Sequence, residues 1–210
     1  HFADAIIVPS ENTRRDLLES VHKIQSYGME VMAGFIVGFD SDPEDIFDLQ
    51  MKFIRESGIP LAMVGLLSAL PDTQLWRRLE KEGRLLDVCS GNNTDCTLNF
   101  VPKMNETLLV EGFKTILRNI YSPHEYYRRA LDCLSRFHQN RIEPRHASLK
   151  EDIKSFFRIM FALGLRDSER RSFWKYCFDL VRFYPRDFAH GLTLAAMGYH
   201  FRRITEKYCD

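Results

Sequence analysis

The sequence predicts an α/β region with parallel strands, followed by an all-α region. Two nearly continuous apolar runs, at 31–39 and 61–67, suit buried β-strands, and helical patterns precede, separate and follow them. The connections are only a few residues long, a rhythm that predicts parallel strands joined by right-handed crossovers. From residue 106 onward only helical spacing remains. We therefore divide the chain into an α/β region over 1–104 and a helical region over 105–210.

Helix-ending glycines place the elements of the α/β region. Predicted helices cover about 13–27, 43–57 and 74–82, and each is followed by a glycine, at Gly28, Gly58 and Gly83. The short apolar run at 2–8 fits either a third strand or a segment foreign to the fold, and its pattern does not decide between them.

A polar, irregular segment separates the two regions. Residues 85–104 are dense in Asn, Asp, Ser, Thr and Gly, so we predict a loop with a short extended piece at 98–101. Beyond it, apolar residues at three- and four-residue spacing predict helices near 106–119, 123–139, 149–164, 168–183 and 186–206.

Charge and cysteine content argue against several classes of protein. The 29 Lys and Arg balance the 29 Asp and Glu, so no net charge draws the chain toward nucleic acid. No apolar run approaches the roughly 20 residues that span a bilayer. The five cysteines are odd in number and scattered, which predicts a reducing, cytoplasmic location. The seven histidines show no metal-ligand spacing, so we predict no metal site.

Basic residues are frequent on the predicted helix 123–139 and just after it. A solvated helix face explains them better than phosphate contacts do. They are Arg128, Arg129, Arg136, Arg141 and Arg145.

The candidate site lies after the first strand, because α/β folds bind ligands at the carboxyl ends of their strands. Gly34 and Gly38 thin this strand, as glycines do where a ligand or another backbone approaches closely. A packed strand whose glycines admit a helix is the alternative. We expect both faces of the strand to be covered, as in parallel sheets. Asp42 follows in a Ser-Asp-Pro-Glu stretch and is expected to cap the next helix.

Three stretches resemble radical S-adenosylmethionine (SAM) enzymes. Residues 34–38 (GFIVG), with Asp42, resemble their glycine–isoleucine–glycine strand motif. Residues 69–76 (ALPDTQLW) resemble their strand-to-helix exit, with Asp72 where glycine is usual; an ordinary capped turn is the alternative. Segments 90–95, 98–104 and 120–123 are similar to one subgroup. Its members carry an N-terminal cobalamin-binding domain and a helical C-terminal extension, and hopanoid methyltransferases are relatives.

The resemblance implies a fold, cofactors and site residues. The fold is a partial (β/α) radical SAM barrel followed by a helical extension, and the parent enzyme uses SAM, a [4Fe–4S] cluster and cobalamin to methylate an unactivated carbon. The implied cofactor-binding residues are Gly34, Ile36, Gly38 and Asp42, with Leu67, Ala69 and Leu70 at the next strand end. A polar cluster of Asn92, Asn93, Asp95 and Asn99 either orders a substrate or forms a solvated loop.

The sequence also departs from this family. It has no C-x3-C-x2-C signature for the cluster, since even Cys89 and Cys96 have six residues between them, and no Asp-x-His-x-x-Gly pattern for cobalamin. We therefore predict the C-terminal portion of a larger enzyme, inactive alone and binding no cofactor by itself.

Two further hypotheses concern partners. The chain is alternatively a binding module that docks an apolar substrate or a protein, or a structural cover for the barrel. The parent is expected to take a small apolar substrate. Strand edges exposed by a partial barrel predict a homodimer through those edges, an exchange of elements between copies, or helices that cover the edges.

Overall fold

The computed structural model describes residues 11–86, 97–137 and 149–209, with the side chains of 11–16, 149–152 and 208–209 left out of the description. It is mostly helical and contains one small sheet in the described part. The first elements are helix α1 (Glu11–Ser26), strand β1 (Met32–Val37), helix α2 (Ile46–Ser57), strand β2 (Leu61–Leu66) and helix α3 (Gln74–Lys81). The later helices are α4 (Glu106–Ile120), α5 (Pro123–Arg136), α6 (Leu149–Phe161), α7 (Arg170–Phe183) and α8 (Phe188–Cys209).

The predicted helices are confirmed to within a few residues at most ends. Gly28, Gly58 and Gly83 end their helices with positive φ angles of 79°, 62° and 64°, as the sequence predicts. Two boundaries differ: α2 begins at Ile46 rather than near 43, and α6 runs into a π-helix at Ala162–Arg166. The run at 2–8 lies outside the described residues.

The two predicted strands pair in parallel. The register runs from Met32 beside Leu61 to Val37 beside Leu66, and the Leu67 N–H extends it by donating to the Val37 carbonyl at 2.8 Å. The predicted extended piece at 98–101 forms an antiparallel bridge between Phe100 and Leu85. Mixed α/β followed by α is therefore confirmed, whereas a barrel and the boundary at 104 stay predictions.

In the described part of the chain one face of the sheet is buried, and most of the other face is exposed. Phe35 and Val37 are buried, but Met32, Ile36 and Met63 on the opposite face are 58%, 45% and 49% exposed. The expectation that both faces are covered is therefore wrong for these residues. Helices α2 and α4 contact the strands. On the opposite face Leu61, beside Met32, is buried at 2% exposure, but the rest of that face forms an exposed apolar surface among the described residues. We call this surface the open sheet face: residues 32, 34, 36, 63 and 65.

A continuous apolar core joins the covered sheet face to the later helices. Phe35 and Val64 belong to the same buried cluster as Phe113 of α4 and Tyr126 of α5. The Tyr121 hydroxyl ties the end of α4 to the sheet by donating to the Ala62 carbonyl at 2.8 Å, and burial raises the pKa of Tyr121 to about 12. Within the described residues, no helix is both apolar and long enough to cross a bilayer.

Arg129 corrects the expectation of a solvated basic face. Its side chain is 1% exposed, and its guanidinium donates to the carbonyls of Ile59 and Pro60 before β2 and of Ile120 at the end of α4. Burial lowers the pKa of Arg129 to about 10, so it stays protonated at neutral pH. Arg129 therefore fastens α5 both to the sheet and to α4.

Replacing Arg129 by Met is expected to lower the free energy of unfolding by about 2 kcal/mol. Each buried carbonyl that loses its donor costs on the order of 1 kcal/mol or more, and the relief of a buried charge offsets part of that loss. Arg128→Met is the matched control, since Arg128 is partly exposed and pairs with Glu125 in its own helix; it is expected to cost less than about 0.5 kcal/mol. Urea unfolding compares them, and equal losses would show that Arg129 fastens nothing.

Candidate functional site

The candidate site lies where β1 and β2 end. Because parallel strands end at the same edge of a sheet, the segments after Val37 and after Leu66 meet there, and 97–103 and α3 close around them. A second buried apolar cluster holds these parts together, formed by Leu67, Ala69, Leu79 and Phe100. The edge at which the sequence predicts a site therefore brings together segments that are far apart in the chain.

The turn after β1 is held by Asp42. Gly38 has a φ of 108°, which side-chain-bearing residues rarely adopt, and a Cβ there would lie 3.2 Å from Leu109. One carboxylate oxygen of Asp42 accepts from the Gly38 N–H at 2.7 Å and from the Phe39 N–H at 3.0 Å. The predicted role of Asp42 as a helix cap is therefore wrong. The strand-turn amides lie within reach of Asp42, and α2 begins later, after Asp45, without a side-chain cap.

Asn99 holds the segment after β2. Its side-chain oxygen accepts from the Ala69 N–H at 2.9 Å, and its side-chain nitrogen donates to the Ala69 carbonyl at 2.7 Å. Asn99 thus pairs with Ala69 as a neighbouring strand would. Leu67 and Ala69 are buried, while Leu70 is 57% exposed. Two predicted site residues, Ala69 and Asn99, are therefore in direct contact, and the geometry gives Asn99 a positioning role.

An ion-pair cluster beside this edge was not predicted from the sequence. Asp40 receives two hydrogen bonds from Arg84, at 2.8 and 2.9 Å, and one from Arg78 at 3.0 Å. Arg84 also donates to the Val101 carbonyl at 2.8 Å, which ties the cluster to the 97–103 segment. These hydrogen bonds lower the pKa of Asp40, and Arg84 contributes most to that shift. An acid directly after a strand was visible in the sequence, but its partner 44 residues away was not.

The backbone conformation of Asp72 explains why glycine is usual at this position in the family that the segment resembles. Asp72 has a φ of 64°, the left-handed region that glycine occupies without cost. The next residue, Thr73, caps α3 by accepting from the Trp76 N–H at 3.2 Å. The predicted turn and capped helix are confirmed, with Asp72 tolerated because a short polar residue can adopt this conformation.

The open sheet face lies next to this edge and has room for a flat ligand. A Cβ built on Gly34 would meet no atom within 4 Å, and Ile36 beside it is exposed. This part of the open sheet face is therefore lined by backbone and apolar atoms.

The described residues do not provide a metal or cluster site. No group of three or more His, Cys, Asp or Glu in 11–86, 97–137 and 149–209 is placed to hold a metal. Cys133 and Cys177 are buried as free thiols, and burial raises their pKa values to about 12 and about 11. They are therefore thiols rather than thiolate ligands at neutral pH. Of the predicted substrate residues, Asn92, Asn93 and Asp95 lie outside the described residues.

The sequence of this chain is similar to those of known proteins. Residues 73–210 match the model of a family described as a domain of unknown function, DUF4070. The chain is 33% identical over 198 residues to an uncharacterized methyltransferase of Synechocystis sp.. This match covers 93% of this chain and 37% of that protein. The chain is also 30% identical over 190 residues to the hopanoid C-2 methylase of Rhodopseudomonas palustris, covering 88% of this chain and 35% of the methylase. The chain thus spans little more than a third of these relatives. No solved structure matches it significantly.

The two acids of the β1 turn are expected to make stability depend on pH with opposite signs. The pKa of Asp40 is lowered in the fold, so its stabilisation is complete above the unfolded value of about 3.9 and is lost as the pH falls through the folded value. Burial raises the pKa of Asp42, so its contribution to the stability of the fold is complete below the unfolded value of about 3.9 and is lost as the pH rises through the higher folded value.

Urea unfolding at pH 7, 5, 4 and 3 measures this difference. The advantage of wild type over Asp40→Asn should shrink toward pH 3, whereas its advantage over Asp42→Asn should grow. The same sign for both variants would contradict the assigned environments.

Substitutions at Asp72 test the strained turn. Asp72→Gly is expected to leave the free energy of unfolding unchanged or to raise it by up to about 1 kcal/mol, because relief of strain is offset by a more flexible unfolded chain. Asp72→Val should lower it by about 1–2 kcal/mol, and Asp72→Asn should match wild type. Thermal unfolding of the three variants gives the order, and a Val variant as stable as the Gly variant would rule out a left-handed turn here.

Proposed function

The chain belongs to the DUF4070 family, and we propose that it forms part of a cobalamin-dependent radical SAM enzyme that methylates an unactivated carbon. The names of both curated relatives, a methyltransferase and a methylase, support a function related to methyl transfer. The motifs at 34–38 and 69–76 support the radical SAM assignment, because they follow one another in the expected order. The first lies on β1 and the second follows β2, its paired strand. We propose an apolar substrate, since one relative is named for a hopanoid.

The open sheet face is the observation that carries this proposal. An apolar sheet surface with a glycine at its centre is costly in water unless something covers it. In a (β/α) barrel that face is the interior, and the helices pack on the outside, as α2 and α4 do here. The geometry therefore supports a barrel wall whose inner surface receives the cofactor.

The predicted cofactor-binding residues and Asn99 each have a proposed role in this arrangement. Gly34 and Ile36 lie beside the adenosine part of SAM, and Gly38 forms the turn that Asp42 holds. At the end of β2, Leu67, Ala69 and Leu70 line the same cavity, and Asn99 positions the backbone of Ala69. When bound, SAM, the cluster and cobalamin supply the radical and the methyl group of the reaction. The residues of this chain orient the nucleoside and exclude water from it.

The rest of the barrel is proposed to come from a longer protein. The Gln50 side chain donates to the outward carbonyl of Ile36 at 2.9 Å, so part of the free edge of β1 is occupied by a residue of α2. The edge around Gly34 is where a preceding strand would pair. We propose that the chain alone is catalytically inactive and that a homodimer through this edge forms only when that strand is missing. A binding module without chemistry remains the alternative function.

Graded substitutions at Gly34 test the cofactor site. In the protein encoded by the complete reading frame, which we expect to carry C-x3-C-x2-C before His1, Gly34→Ala should bind SAM within about threefold of wild type. Gly34→Leu should raise the Kd at least about tenfold, which corresponds to about 1.4 kcal/mol. Neither variant should unfold, because a Cβ at this position meets no atom within 4 Å.

Equilibrium dialysis under anaerobic conditions gives the Kd, and thermal unfolding confirms the fold. A folded Gly34→Leu protein that binds SAM like wild type would contradict the placement of SAM on β1. A wild-type protein that binds no SAM at all would instead overturn the radical SAM proposal itself.

A further inference from the structure

Helix α6 carries an apolar stripe that faces solvent. Ile153, Phe157, Phe161 and Leu165 follow one another every four residues, so they lie on one face of α6 and of the π-helical turn after it. They are 50%, 65%, 60% and 65% exposed. The helix packs on the core through a different side, with Ile159 and Met160 against the core and Leu163 buried. The apolar arc of α6 is therefore wider than its own packing uses.

Helix α7 repeats the arrangement. Phe173, Tyr176 and Leu180 are buried on one side, as an amphipathic helix requires. Trp174, Phe178 and Val181 form a second stripe beside them and are 47%, 64% and 60% exposed. This second stripe likewise contributes little to the core.

The two stripes meet at Trp174. Its indole N–H donates to the Gly164 carbonyl at 2.9 Å, and a Cβ on Gly164 would lie 3.1 Å from the indole ring. The ring therefore rests on the π-helical turn next to Leu165. We call the joined region the outer surface: Phe157, Phe161, Leu165, Trp174, Phe178 and Val181.

Cations border the outer surface on both helices. Lys154 and Arg158 come one residue after Ile153 and Phe157, so they run along one edge of the α6 stripe. Arg171, Lys175 and Arg182 hold the corresponding edge on α7. Each apolar stripe thus has a row of long basic side chains next to it.

The charge exposed around this surface is strongly one-sided. Between residues 153 and 187, every Lys and Arg is exposed, whereas Asp167 and Asp187 are buried and Asp179 is half-buried, which leaves Glu169 as the exposed acid. Asp179 also pairs with Lys175 at 3.6 Å. The chain as a whole has a net charge of zero, so this positive region is local.

We propose that the outer surface binds an anionic lipid bilayer. Exposed Phe, Trp and Leu side chains bordered by Lys and Arg are the pattern of helices that lie in the plane of a membrane interface. The rings enter the boundary between headgroups and acyl chains, and the basic side chains extend toward lipid phosphates. Protein interfaces, in contrast, are depleted of Lys and of charge at their centre. This inference uses residues outside the candidate site and does not depend on the proposed function.

Vesicle binding by the chain tests the proposal. Wild type should bind vesicles with about 30% phosphatidylglycerol in phosphatidylcholine at least tenfold more tightly than pure phosphatidylcholine vesicles, and the binding should weaken as salt rises. The double variant Phe157→Gln, Phe178→Gln should lose at least tenfold in affinity. The variant Arg158→Gln, Lys175→Gln should lose the preference for anionic lipid.

Matched controls replace an exposed apolar and an exposed basic residue elsewhere: Leu108→Gln on α4 and Lys52→Gln on α2. Both should bind within twofold of wild type. Co-sedimentation gives the affinities, and circular dichroism confirms that each variant is folded. No binding by wild type, or equal binding by the double Phe variant, would overturn the proposal. So would a wild-type dimer that the double Phe variant dissociates, since the outer surface would then be a contact between two copies.

Discussion

The site depends on the parallel pairing of β1 and β2. Their register brings the segments after Val37 and Leu66 to one edge, and the bond from the Leu67 N–H to the Val37 carbonyl extends the pairing beyond the last strand residues. Without this pairing, Gly38 and Ala69 would not lie at the same edge of the sheet. Each segment is then fixed by one polar side chain, Asp42 in the first and Asn99 in the second. One carboxylate and one side-chain amide therefore set the backbone geometry of the edge.

The helical region holds the strands that end at this edge. Arg129 of α5 binds the carbonyls just before β2, and Tyr121 at the end of α4 binds the carbonyl of Ala62 within it. Leu109 of α4 packs against Gly38. A displacement of α4 or α5 is thus transmitted to the strands that form the candidate site. Through this shared packing, the helices after residue 105 and the strands of the candidate site form one continuous core.

Local features of the fold were predictable, and long-range polar contacts were not. Helix-ending glycines, strand runs and the capped turn at Thr73 are set by neighbouring residues, so their patterns sufficed. Asp42 was misassigned because two sets of amides competed for it, and sequence spacing does not show which is nearer. The partners of Asn99, Asp40 and Arg129 lie 30 or more residues away, apart from one contact of Arg129. The burial of Arg129 could not be recognised from the sequence, because its neighbour Arg128 has the same charge and is partly exposed.

Two apolar surfaces are exposed among the residues that the structure describes, and their chemistry differs. The open sheet face, at 32, 34, 36, 63 and 65, consists of Met, Ile and Gly and includes no charged residue. A surface of that composition is stable only when enclosed, because it offers nothing to water or to an ionic partner. The outer surface on α6 and α7 is bordered by exposed cations and keeps its polar groups hydrated at the edges. Such a surface suits a boundary between water and an apolar phase. The two surfaces therefore fit different partners. The open sheet face fits the enclosed ligand or the barrel wall that we propose, and the outer surface fits an interface whose edges remain hydrated.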